Sequence, residues 1–178
     1  MSNLTTEINT IDQKLNKTIS NVINHVKENP SAKDVSFSVQ SKLKQGFHSD
    51  VHVRGFKFVV DEPQSLGGED EAPNPVEYVL GALASCQEIV IKAYAGQLGI
   101  DLNSVTVEAS GDLDLEGFFN LSDERPGFTN VKYKTVISTT ETDPTKLQLL
   151  KSFSIDRCPV LDIIANPVPV NGEVVYVS

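Results

Sequence analysis

Ile11, Leu15, Ile19, Ile23 and Val26 recur at three- and four-residue steps before Pro30. That spacing lines one face of an amphipathic helix ending near the proline. Residues 1–34 therefore read as an N-terminal helical arm, expected to dock on the main body or on a second subunit. From residue 35 the period shortens to two. Val35-Ser36-Phe37-Ser38-Val39 alternates, and a second run covers 51–60 beyond Gly46, so the two predict a hairpin. A loop rich in Gly, Asp and Pro follows, with Gly67, Gly68, Asp70 and Pro73. A long, mostly apolar helix is expected from Pro75 to near Gly99, capped by Asn74, with proline at its first position. Alternation returns over 104–115 and 129–139. Thr140 or Thr142 is the expected cap of a helix over 144–154; a short helix over 159–165 and a final strand over 172–177 complete the chain. Strands and helices are segregated, which predicts an α+β domain over 35–178.

Composition narrows the function. The chain has 178 residues, 15 basic and 24 acidic, for a formal charge of −9. Recognition of a nucleic-acid backbone needs the opposite sign. No apolar run reaches the roughly 18 residues of a membrane span. The first twenty residues carry Glu7, Asp12, Lys14 and Lys17, unlike a secretory signal. The expectation is a cytoplasmic protein, with neither nucleic acid nor membrane as partner.

Only two cysteines are present, Cys86 and Cys158. In a reducing compartment such a pair is chemical or merely buried, rather than a structural staple. Cys158 directly precedes Pro159, so it can cap a short helix and face the unpaired backbone N–H donors that favour a thiolate. Cys86 lies within the long helix, where its own backbone offers no such donors. Its activation requires a neighbour brought by the fold; otherwise it is a small buried hydrophobe.

Other patterns carry less. His48, Asp50 and His52 alternate along an expected strand and form an incomplete metal set, more simply read as solvated polar groups. Gly67 and Gly68 lack the continuation of a phosphate loop. Phe118, Phe119 and Phe128 either pack the core or line an apolar pocket.

Taken in order, Asp61-Glu62-Pro63, Gly67-Gly68, Pro73-Asn74-Pro75-Val76-Glu77-Tyr78, Ala82-Leu83-Ala84-Ser85-Cys86 and Cys158-Pro159-Val160 resemble the OsmC/Ohr-like family. The resemblance covers about 35–178 and leaves the arm outside. It implies curved antiparallel sheets around a long central helix, in an intertwined homodimer. It also implies a cysteine-dependent peroxidase that reduces organic hydroperoxides, with Cys86 as peroxidatic thiol and Cys158 as resolving thiol. A dithiol reductant would restore the pair, and no cofactor or metal is implied. Arg54 is the arginine expected to activate Cys86, with Lys44 and Arg157 as fallbacks. Peroxidase members carry glutamate directly after the Asn-Pro dipeptide; here Val76 stands there and Glu77 follows. Glu77 is therefore a candidate orienting residue, or simply favours the helix start. The alternative is a non-peroxidatic dimer of the same family that binds a small apolar or electrophilic ligand.

Overall fold

The structure is a computed structural model that describes the backbone of residues 2–177 and the side chains of residues 10–177. Met1 and Ser178, the outermost residues of the arm and domain assigned from sequence, lie outside the described residues. In chain order the elements are α1 (Ser2–Glu28), β1 (Gln40–Leu43), β2 (Ser49–Val53), β3 (Phe56–Val60), α2 (Pro75–Leu98), β4 (Leu102–Leu113), α3 (Leu115–Phe118), β5 (Phe128–Thr139), α4 (Pro144–Asp156) and α5 (Pro159–Ala165).

Helix α2 organises the domain. Asn74 accepts the Glu77 N–H, and the Glu77 carboxylate accepts the Asn74 N–H at 2.8 Å, so the two form a reciprocal capping box. Pro75 occupies the first turn, where its missing N–H costs nothing. Gly99 ends the helix in the left-handed region, at φ 64. Leu83, Ile91 and Leu150 are fully buried. They belong to two apolar clusters, one around Ile91, Ala95, Ile100 and Leu150, the other around Leu83, Val90 and Cys158.

Two antiparallel sheets flank this helix. β1–β2–β3 form a three-stranded meander, while β4 and β5 form a two-stranded ribbon. The ribbon packs on α2, as do α4 and α5. The meander is tied to the start of α2 by Tyr78, whose hydroxyl donates to the Val59 carbonyl at 2.6 Å and whose ring lies against Phe58.

The α+β class holds, but the expected arrangement of sheets does not. Neither sheet curves around α2: among the described residues β3 pairs only with β2 and β5 only with β4, so no ladder joins the two sheets. The strand expected at 172–177 forms no ladder either, and its Val174, Val175, Tyr176 and Val177 are exposed. The β4–β5 ribbon has two strands, and Ile89 on α2 is 69% exposed.

Local details also differ. Residues 35–39 are not a strand, and the 51–60 run is broken at Arg54-Gly55. Arg54 takes φ 53 there, a turn conformation incompatible with a continuing strand. Asp143, not Thr140 or Thr142, caps α4, by accepting the Thr145 N–H at 2.8 Å.

The arm is helical over Ser2–Glu28 and meets α2. Lys92 donates to Asp12 at 2.7 Å, and the Asn16 side chain lies where a Cβ on Gly96 would stand. A side chain at Gly96 would therefore push the Asn16 side chain aside.

Candidate functional site

The two cysteines meet. Cys86 lies in the middle of α2, half-buried, and packs against the cluster that contains Cys158. Cys158 is 1% exposed and is the N-cap of α5, its sulfur accepting the Leu161 N–H at 3.5 Å. Cys158 and the Val160 backbone N–H lie close enough to act electrostatically on the Cys86 thiol, which packs against the same cluster. Both thiols are free. The sharp turn from α4 into α5 carries Cys158 back onto α2, a meeting that sequence separation cannot reveal.

The electrostatics oppose easy ionisation of Cys86 within one chain. Burial pushes its thiol up; the Val160 N–H pulls it down; Cys158 beside it pushes it up again. Tyr133, a residue not singled out from sequence, faces the same cluster from β5. Its hydroxyl is also pushed up, by burial first and then by Cys158. The signal for Tyr133 was its place in the alternation of β5, which put it on the inward face.

The charged candidates lie elsewhere. Arg54 sits at the tip of the β2–β3 hairpin, its guanidinium 5.2 Å from the centre of the Phe56 ring. It is not among the groups acting on the Cys86 thiol. Glu77 is engaged at the first turn of α2, nine residues from Cys86, or about 13–14 Å along the axis. Lys44 pairs with Asp50 at 3.3 Å. Arg157 caps α4, its backbone N–H donating to the Phe153 carbonyl.

His48 lies in the turn before β2 and bridges Glu71 at 2.9 Å and Asp50 at 3.7 Å. Asp50 is held down to about 2, chiefly by its bond to Lys57. Asp61 is buried and accepts the Glu69 and Glu71 N–H groups, which shape the glycine loop. Among the described residues no group of three His, Cys, Asp or Glu side chains is arranged to hold a metal ion.

Two hollows among the described residues are mostly apolar. One, of about 430 Å³, runs between β5 and α4, with Tyr133, Ile137, Leu147, Leu150 and Ile155 in its walls. The other, of about 330 Å³, lies at the start of α2 beside Val76, Leu113, Leu115 and Phe118. Phe119 meets Phe118 edge-on. The Phe128 ring lies across Gly111, where a Cβ would come within 2.6 Å of it.

A sequence profile described as OsmC-like protein matches residues 68–173, more than half of the chain and both cysteines. The chain belongs to the OsmC-like family. Among solved structures it is similar to an OsmC-like protein from Mycoplasma pneumoniae, at 17% identity and a TM-score of 0.63, covering 75% of this chain and 90% of that one. An organic hydroperoxide resistance protein OsmC from Legionella pneumophila gives 20% identity and a TM-score of 0.53, covering 73% and 89%. An organic hydroperoxide resistance protein from Elizabethkingia anophelis gives 16% and 0.56, covering 76% and 92%. At these identities the likeness is one of fold. No curated protein matches the chain. Membership of the family is consistent with a redox function in general. No described helix is long and apolar enough to cross a membrane.

Proposed function

We propose that this OsmC-like protein is a cysteine-dependent peroxidase for organic hydroperoxides, acting in defence against oxidative stress in a reducing, cytoplasmic compartment. The observation that supports this reading above the others is the side-by-side placement of Cys86 and Cys158. In the proposed cycle the Cys86 thiolate attacks the terminal peroxide oxygen. The O–O bond breaks, the alkoxide takes a proton and leaves as an alcohol, and Cys86 becomes a sulfenic acid. The Cys158 sulfur then attacks the Cys86 sulfur, forming an intrachain disulfide and releasing water. A dithiol reductant returns both thiols and is itself oxidised to a disulfide. The apolar hollow beside Tyr133 gives the organic part of the substrate a site.

This cycle needs a cation near Cys86, because within one chain burial holds the thiol up. We infer that the protein acts as a homodimer, in which Arg54 of one copy reaches the Cys86 of the other. Phe56, 63% exposed, lies on the same hairpin and would be covered by such a contact. Glu77 is assigned an orienting role only through its hold on the start of α2.

The second reading is a non-peroxidatic binder of small apolar or electrophilic ligands. The raised Cys86 thiol and the apolar hollow beside Val76 favour it. Cumene hydroperoxide consumption in the presence of a dithiol separates the two. Turnover lost in Cys86→Ser supports the peroxidase; no turnover, with ligand binding unaffected by Cys86→Ser, selects the binder.

A further inference from the structure

Gln87 follows Cys86 on α2 and is 0% exposed. A buried amide in an apolar core needs a reason, because each of its polar groups left without a partner is costly. Gln87 has one partner and lacks another. Its Nε2 donates to the Ser154 carbonyl at 2.8 Å, while its Oε1 is enclosed with no partner among the described residues. Leucine or methionine would fill the space without that cost, so packing alone does not account for the residue.

The acceptor explains the choice. Ser154 lies in the last turn of α4, where carbonyls lose their helical partners. Had α4 continued, the Ser154 carbonyl would have received the N–H of Cys158, four residues on. The helix instead stops at Asp156, Arg157 closes it onto the Phe153 carbonyl, and Cys158 becomes the N-cap of α5. We propose that Gln87 is a positioning residue for the thiol pair: its amide takes the carbonyl that a longer α4 would offer to Cys158, and so holds Cys158 at the α4–α5 corner against Cys86. The same side chain fixes the corner to the turn of α2 that carries Cys86. The role in disulfide formation rests on the redox reading above; the role in placing Cys158 does not.

Two measurements on the full-length protein test this. In a Cys86→Ser background, N-ethylmaleimide reports access to Cys158 alone. Gln87→Leu should raise the labelling rate about tenfold by loosening the corner, whereas the core variant Ile100→Val, in the cluster away from the thiols, should leave it unchanged. With both cysteines present, the equilibrium between the Cys86–Cys158 disulfide and glutathione should shift about tenfold toward the dithiol in Gln87→Leu. Gln87→Met serves if the leucine variant fails to fold. Labelling at the parent rate in both Gln87 variants overturns the proposal. Absence of any Cys86–Cys158 disulfide in the parent protein overturns the redox reading, while the labelling result still decides whether Gln87 places Cys158.

Discussion

The hairpin end and the thiol end of this molecule are built on opposite principles. Around β1–β3 the charges are dense and mostly paired. Asp50 meets Lys44, Lys57 and His48, and Asp61 is saturated on one oxygen by loop N–H groups. At the thiol end Leu83, Val90 and Cys158 are packed with Tyr133 and Val160, and among the described residues no charged side chain acts on Cys86. The hairpin has electrostatics without a nucleophile, and the helical end has nucleophiles without a cation. Reactivity at Cys86 therefore depends on joining the two ends, and each variant below tests one side of that contrast.

The largest effect is expected at the thiols. Cys86→Ser should abolish peroxide turnover, whereas Cys158→Ser should permit one oxidation per chain and then stall at sulfenic or higher acids, resolved by intact-mass analysis. Next comes the apolar packing around them. Leu83→Ala should lose about 2–5 kcal/mol in urea unfolding, because a fully enclosed side chain leaves a cavity. Linkage of the two ends is tested by Arg54→Met. If the hairpin charge reaches Cys86, the midpoint of Cys86 alkylation should move to higher pH, with about a tenfold loss of thiolate at neutral pH for each unit. An unchanged midpoint returns Arg54 to its place over Phe56. A cap far from the sulfurs should cost stability without touching them: Asn74→Ala should lose about 1 kcal/mol and leave Cys86 alkylation unaltered.

The smallest effect concerns acid stability. Asp50 and Glu141 are both held down to about 2, Asp50 mainly by Lys57 and Glu141 mainly by the Asp143 N–H. Carboxyls lowered in the folded state stabilise it above their unfolded values, and that contribution fades as pH falls toward the folded ones. Asp50→Asn should therefore lower stability near neutrality, where the carboxylate is charged, and flatten the fall between roughly pH 4 and pH 2, so that variant and parent converge in acid.

Helix α2 was legible almost to the residue, since Asn74, Pro75, Glu77 and Gly99 are local signals with local effects. Cys158 as the cap of α5 was legible for the same reason. The strands were legible as pattern but not as pairing. Residues 172–177 alternate yet join no ladder, and the run 51–60 folds back at Arg54-Gly55, where the glycine was the available sign of a turn. Strand partners are chosen by distant segments, so alternation cannot specify them. The meeting of the two sulfurs depends on the α4–α5 corner, which is likewise a long-range contact; only the family resemblance pointed to it. Gln87 was not legible because a buried polar residue is recognised by its partner, and that partner is 67 residues away.

The most direct measurement is peptide mapping of the native protein after one equivalent of cumene hydroperoxide, with remaining thiols blocked before digestion. The account predicts one peptide pair per chain joined through Cys86 and Cys158, with no higher oxidation of either sulfur. Recovery of Cys86 as a sulfinic acid beside an unreacted Cys158, or of both thiols untouched, would contradict it.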